Sequence, residues 1–175
     1  MRTKVAATVA SLVAVATATA VLAPVGTAAG GQESFNGVIV TSGRSGDRQV
    51  LATAVVARGV FNGVGQIVEI APQPGDPDSL ERDDLVFAKG SLHLLSVVTG
   101  AEFNVDPKSC VFDAAISQTG EIAGGTGIFA NATGSSVATV HARGLLARDA
   151  DGSCSFDQAP VSEVDTISST GTLSY

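Results

Sequence analysis

Residues 122–134 (IAGGTGIFANATG) form the most distinctive segment of this 175-residue chain. Glycine tolerates positive φ angles and close backbone approach, so glycine clusters in β proteins suit bulges and barrel corners. An apolar pair, Ile128 and Phe129, follows the glycines. We therefore interpret the segment as a strand that bends sharply and then resumes. The structural glycines of this bend would be Gly124, Gly125, Gly127 and Gly134.

The chain on both sides of this segment has the pattern of short β-strands. Runs rich in Val, Ile, Leu and Thr recur about every 8 to 15 residues, with Gly, Pro, Asp and Ser between them. No window has a convincing helical period. The predicted strands are 35–41, 50–61, 66–70, 85–88, 91–98, 110–116, 120–123, 137–147, 161–166 and 167–175. The pattern predicts an all-β fold, and a small closed barrel suits it because closure removes exposed sheet edges.

Residues 1–29 differ in composition from the rest of the chain. Arg2 and Lys4 precede a stretch, 5–23, that is almost wholly Ala, Val, Leu, Ser and Thr, and small residues follow Pro24. A basic head, an apolar middle and a small-residue exit are typical of a secretory signal peptide. We expect a signal peptide at 1–29 and one domain at 30–175, with an uncleaved membrane anchor as the alternative.

The charge balance limits the partners that the chain can have. The formal net charge is −7, and residues 30–175 carry about −9 once Arg2 and Lys4 are left out. Such an acidic domain repels phosphate backbones, so we expect no nucleic acid partner. No later apolar run approaches the roughly 18 residues of a membrane helix. The expected location is extracellular, and the Ala-, Val- and Gly-rich composition is typical of a bacterial protein.

Two cysteines, Cys110 and Cys154, are the only ones in the chain. An even count in an exported protein indicates a disulfide, which would close a loop worth about 4 kcal/mol in chain entropy. Two free buried thiols are the alternative. A metal site is disfavoured because neither cysteine lies in a CxxC motif and the two histidines are far apart in sequence. We expect neither a metal nor a cofactor.

The glycine segment resembles the GGTGxFxxAxG segment of the allene oxide cyclase and dirigent-like barrels. Other parts of the chain resemble secreted bacterial members of that group, and the resemblance spans most of residues 34 to 175. These parts are 74–76 (PGD), 84–92 (DLVFAKGSL), 106–110 (DPKSC), 163–166 (EVDT) and 171–173 (GTL).

The resemblance implies an eight-stranded antiparallel barrel with an interior cavity. It also implies a small apolar ligand of the polyketide or oxylipin kind. Characterised relatives hold a flexible substrate in one shape for isomerisation or ring formation, and ordering a reactant can lower a barrier by several kcal/mol. Such an isomerase or cyclase needs no cofactor and few catalytic side chains. The alternatives are a non-catalytic exported carrier, a cell-surface interaction protein, or an inhibitor or effector that acts through its loops.

Three residues are candidates for catalysis in the absence of a conventional motif. Asp84 follows the acidic loop 72–84 and is a candidate polar group at the barrel mouth. His93 could face the cavity and act as an acid or base near neutral pH, or it could be an exposed structural histidine. His141 alternates with Arg143 on the polar face of its strand, which favours the barrel exterior over the cavity wall.

The remaining acids and aromatics allow two interpretations each. Loop 72–84 is either a solvated loop, a lid over the barrel mouth or a calcium site. Its acids do not follow the EF-hand spacing, which disfavours calcium. Glu163 and Asp165 share one strand face, where they form either a solvated patch or an acid–base pair. The phenylalanines are expected to form core rather than a ligand platform; they are Phe35, Phe61, Phe87, Phe103, Phe112, Phe129 and Phe156.

Overall fold

Eight antiparallel strands form a closed barrel in chain order in the computed structural model, which describes residues 29–44 and 47–175. The predicted all-β, eight-stranded antiparallel barrel is therefore confirmed. The strands are β1 (Gly30–Ser42), β2 (Gln49–Gly59), β3 (Gly63–Ile70), β4 (Leu80–Phe87), β5 (Gly90–Val105), β6 (Val111–Gly125), β7 (Thr133–Leu145) and β8 (Ser162–Ser174). The predicted signal peptide lies outside the described residues except for Ala29.

Pairing of β1 with β8 closes the barrel. The two strands pair from Gly30 opposite Ser174 to Thr41 opposite Glu163. The pairing between β2 and β3 is much shorter, because only Val55–Ala57 pair with Gly63–Gly65. Beyond that point the Thr53 hydroxyl accepts a hydrogen bond from the Ile67 amide (3.1 Å) in place of a backbone carbonyl. The barrel therefore opens towards the end that holds the start of β2 and the end of β3.

Several predicted strand boundaries are wrong. Segments 110–116 and 120–123 join in one strand, β6, which begins at Val111, and segments 161–166 and 167–175 join in β8, which runs from Ser162 to Ser174. The predicted loop 72–84 ends early, because β4 begins at Leu80. Acidic residues in β4 suggested a loop, but they are tolerated there because this part of the strand borders the open end of the barrel.

Large apolar side chains fill the other end of the barrel. Phe129, on a short 3-10 helix (Gly127–Phe129) after β6, is 1% exposed and packs against Phe61, Phe87 and Tyr175. Leu92 is fully buried beside them. The prediction of an aromatic core holds for five of the seven phenylalanines, which are buried or packed against buried residues; these are Phe35, Phe61, Phe87, Phe112 and Phe129. It is wrong for Phe103 and Phe156, which are exposed.

The glycine segment forms the bend that precedes Phe129. Gly127 has a φ of +59°, which disfavours other residues. A Cβ atom on Gly125 would collide with the Ser91 carbonyl oxygen. Thr126 then anchors the turn, because its hydroxyl accepts a hydrogen bond from the Ser91 amide (3.0 Å). The bend therefore needs glycine to lie close against the start of β5.

A second core cluster contains the disulfide, which is confirmed between Cys110 and Cys154 with a Cα–Cα distance of 5.4 Å. Cys110 is fully buried and belongs to one cluster with Phe112, Ala142 and Leu146. The bridge attaches the loop after β7 to the start of β6. No helix within 29–44 and 47–175 has the length and apolarity that a bilayer span requires.

Replacing Cys154 by serine should lower the melting temperature in oxidising buffer by about 5–15 °C, since the closed loop is worth about 4 kcal/mol. Differential scanning calorimetry measures the change. Wild type in strong reductant is the control and should melt close to Cys154→Ser. Equal melting temperatures for the oxidised wild type and the variant would contradict a stabilising bridge.

Gly125→Ala should destabilise the barrel by about 2 kcal/mol or more, because the new methyl group meets backbone that cannot move away cheaply. Gly100→Ala is the matched control, since a Cβ atom on Gly100 would meet nothing within 4 Å. Urea unfolding followed by circular dichroism compares the two. A Gly125→Ala variant as stable as Gly100→Ala would show that the close approach to β5 is not required.

Candidate functional site

A cavity of about 500 Å³ lies at the open end of the barrel. Its wall combines apolar and ionisable side chains from six strands and from two loops. The apolar lining consists of Ile39, Ile70, Pro72, Leu80, Ile116, Val140, Ala142 and Ile167. The polar lining consists of Arg48, Glu69, Asp78, Glu81, Arg82, Asp83, Gln118, Glu163 and Asp165. Small-molecule sites are usually concave and combine an apolar wall with convergent polar groups, and this cavity has both, with an unusually large share of charged residues.

Strand alternation places the acids of β3 and β4 in this cavity. Leu85 and Phe87 are buried, so Asp83 shares their inward face at the two-residue period. Glu69 of β3 lies directly opposite Asp83 in the strand register. Two carboxylates that face each other across a strand pair repel, so the register itself creates a site of high negative potential.

The acids of β8 reach the same cavity from the other side. Glu163 and Asp165 lie on the inward face with Ile167. The Thr41 hydroxyl of β1 donates a hydrogen bond to Glu163 Oε2 (3.2 Å). Asp165 is 9% exposed, and its Oδ1 is buried without a hydrogen-bond partner among the described residues.

Arg48 is the cation that partly neutralises these acids. Its guanidinium forms a two-point pair with Glu69, with Nη1–Oε2 and Nη2–Oε1 distances of 2.6 and 2.9 Å. The same group is 3.8 Å from Glu163 Oε2 and 4.0 Å from Asp165 Oδ2. Arg48 therefore bridges the β3 and β8 sides of the cavity. Its pKa is raised, first by the hydrogen bond to Glu69.

Burial changes the acidity of two of these carboxyls. The pKa of Asp83 is raised to about 7, first by desolvation and then by the negative charges of Glu81 and Glu69, against the opposing effect of Arg48. Desolvation and the charge of Glu163 raise the pKa of Asp165 to about 6. Both groups can therefore exchange a proton near neutral pH, which is the property required of a general acid or base.

A small inner space continues from the cavity towards the barrel centre. Its volume is about 50 Å³, and Asp83 borders both this space and the outer cavity. Small residues form part of its wall and leave this space unfilled; they are Gly37, Ser96, Ser136, Ala138 and Ser169. The barrel is therefore neither packed solid nor hollow throughout. It is filled at the aromatic end and open at the acidic end.

The structure pairs Asp84 with His93, but on the outer face of the barrel. They lie directly opposite each other on β4 and β5, and His93 Nδ1 is 2.6 Å from Asp84 Oδ1. Their strand neighbours Leu85 and Leu92 are the buried, inward residues. Asp83, one residue earlier, occupies the position at the barrel mouth that the sequence predicts for Asp84. A catalytic role for Asp84 and His93 stays a prediction.

His141 also lies outside, as its alternation with Arg143 favoured. It is exposed on β7, whereas Val140 and Ala142 line the cavity. Arg143 pairs with Asp113 at 3.5 Å on the same exposed surface. Strand β6 separates His141 from the strand that carries His93. The structure therefore does not bring the two histidines into one site, and the catalytic prediction for His141 is likewise untested.

The sequence interpretation missed Arg48, Glu81 and Asp83 as site residues. The two-residue alternation of β4 could have identified the two acids. Phe87 and Leu85 are apolar and point inward, and Asp83 and Glu81 continue the same face of the strand. The predicted strand begins only at Leu85, because the residues before it are charged. Glu81 accepts a hydrogen bond from Gln118 Nε2 (2.6 Å) across the cavity. Arg48 carried no sequence signal, since it precedes β2 in a loop.

The acidic loop has a structural explanation. The Asp76 carboxylate accepts hydrogen bonds from Arg82 Nε (2.7 Å) and from the Gln73 amide (2.7 Å). The hydrogen bond from Arg82 and that from Gln73 lower the pKa of Asp76 to about 2. Within the part of the chain that the structure describes, no group of three His, Cys, Asp or Glu side chains is arranged to hold a metal ion.

Asp83→Asn should raise the free energy of unfolding near pH 8 by about 1–3 kcal/mol and leave it almost unchanged near pH 4. The pKa of the folded carboxyl, about 7, lies above its ordinary value of 3.8, so the folded state holds this proton more tightly. Asp83 therefore costs stability progressively from about pH 4 to pH 7, and fully above that range. Asparagine avoids this cost.

Urea titrations at both pH values measure the effect, and Asp157→Asn, a change at an exposed aspartate, is the control. An equal gain for Asp83→Asn at the two pH values would contradict a buried, titrating carboxyl.

Comparison with known proteins adds no relative to this picture. No family model, no curated protein and no solved structure matches the chain. The similarity to allene oxide cyclase and dirigent-like barrels therefore stays an expectation from sequence motifs, and the chemistry of the site is argued from its geometry.

Proposed function

We propose that the chain is an exported β-barrel that binds a small, largely apolar molecule of the polyketide or lipid class at the open end of its barrel. The observation that carries this proposal is the cavity of about 500 Å³, whose wall includes the apolar side chains of Ile39, Ile116 and Val140. Burial of an apolar molecule there gains roughly 25 cal/mol for each Å² removed from water.

Two features support export. The disulfide between Cys110 and Cys154 belongs to the chemistry of oxidising compartments. The composition of residues 1–29 is that of a signal peptide. Both fit an extracellular protein, and the sequence motifs at 122–134 are the reason for proposing the allene oxide cyclase or dirigent-like kind.

The second candidate is an isomerase or cyclase that shapes its bound molecule for intramolecular ring formation. Asp83 and Asp165 favour it, because two carboxyls with raised pKa values face the same cavity. A carboxyl that is protonated near pH 7 can polarise a carbonyl or epoxide oxygen, while a neighbouring carboxylate accepts a proton. Without such chemistry the same cavity would serve a carrier.

Saturable binding of a neutral apolar probe tests the proposal. N-phenyl-1-naphthylamine, whose fluorescence rises in apolar surroundings, should bind with a dissociation constant in the micromolar range. Val140→Trp should weaken binding at least about tenfold because the indole fills the cavity. Val137→Trp is the matched control on the same strand, since Val137 is 61% exposed and faces outward.

Circular dichroism establishes that both variants fold, and Ile116→Phe is a smaller change with the same expected direction. No saturable binding to the wild type, or equal binding by Val140→Trp and Val137→Trp, would overturn the proposal.

A further inference from the structure

Resting on the proposed function, we infer that the molecule held in the open end is a cation: a primary or secondary ammonium group carried on an apolar body. The ammonium would lie among the carboxylates of β3, β4 and β8, and the apolar body would lie against the hydrophobic wall. Three independent observations support this assignment.

The first observation is the excess of negative charge in the cavity. Glu69, Glu81, Asp83, Glu163 and Asp165 line it. Arg48 is the cation that pairs with this group, and its strongest contact, with Glu69, accounts for one carboxylate. The other lining arginine, Arg82, is held by Asp76. A surplus of carboxylates in a partly desolvated concavity attracts cations and excludes anions.

The second observation is an unused hydrogen-bond acceptor. Asp165 is 9% exposed, lines the cavity, and has a buried Oδ1 atom without a partner among the described residues. Its other oxygen, Oδ2, is 4.0 Å from Arg48, which is too long for a hydrogen bond. Neither oxygen of the Asp165 carboxylate therefore receives a hydrogen bond within the described residues, and a bound N–H donor that reached this carboxylate from the cavity would supply one.

The third observation is the hydrophobic wall beside the acids. Ile39, Ile167 and Val140 line the same cavity as Asp165. A small hydrated inorganic cation would gain nothing from these side chains. A metal ion is further disfavoured because, across residues 29–44 and 47–175, the acids are not grouped as three ligands around one point. An organic ammonium offers both several N–H donors and an apolar surface.

Arg48 has a defined part in this inference. Its guanidinium bridges Glu69, Glu163 and Asp165 from a loop position before β2. It therefore occupies part of the site as a built-in counterion, and a bound ammonium group competes with it. This gives the inference an unusual consequence: removing Arg48 should strengthen cation binding.

The experiment compares three probes that share one eight-carbon chain: octylammonium, 1-octanol and octanoate. Isothermal titration calorimetry near pH 8 in moderate salt should give an octylammonium affinity about tenfold above that of 1-octanol. Octanoate should bind at least about tenfold more weakly than 1-octanol because the site repels it.

Variants of opposite expected effect sharpen the test. Asp165→Asn should lower the octylammonium affinity about tenfold and leave 1-octanol within about twofold. Arg48→Gln should raise the octylammonium affinity about threefold or more. The matched controls are Asp157→Asn and Arg58→Gln, which make the same charge changes at exposed positions away from the cavity. Both controls should leave every affinity within about twofold.

The outcomes separate this inference from the proposed function. If 1-octanol binds and octylammonium binds no better, the inference fails and the apolar site stands. If neither probe binds, both fail. If the control variants shift octylammonium affinity as much as Asp165→Asn and Arg48→Gln, attraction to the acidic surface as a whole replaces the inferred site.

Discussion

Closure of the sheet through the pairing of β1 with β8 is the constraint on which the rest of the structure depends. A closed barrel of eight strands has an interior only wide enough for side chains or one small ligand. Every inward residue therefore competes for the same space. Phe129, Phe87 and Leu92 fill one end of that space. Small residues such as Gly37 and Ser169 leave room at the centre, and charged residues surround the opening.

Much of the fold could be predicted from the sequence because its causes are local. Alternating β-branched residues and turn residues predict strands, and the glycines around Gly125 mark the bend before Phe129. The disulfide followed from an even cysteine count. The sequence does not predict that two short apolar runs belong to one long strand. Gly120 suggests a turn between them, but it lies in the middle of β6, where its lack of a side chain leaves room for Leu94 and Ser136. Tertiary packing, not local propensity, decided that case.

The candidate site could be predicted only in part, and the reason is the two-residue period of a strand. A shift of one residue exchanges the inner and outer faces, so Asp84 lies outside with His93 while Asp83 lies inside. Glu163 and Asp165 were found together because they share a face within one strand. Arg48 was not, because a loop residue has no period and its partners, Glu69 and Glu163, are distant in sequence.

Buried carboxylates at the two ends of the barrel differ in whether they receive hydrogen bonds. This contrast supports a functional origin for the acidic end. Glu33, 3% exposed at the aromatic end, accepts hydrogen bonds from the backbone amides of Phe61 (3.1 Å) and Ser34 (3.3 Å). The fold can therefore satisfy a buried acid where the acid is structural. Asp165 receives no such donor at Oδ1, and Asp83 faces Glu69. Both arrangements cost stability that an asparagine or serine would avoid. Locally unfavourable groups that a fold retains are concentrated where a ligand or a reaction uses them, and the open end of this barrel has that property.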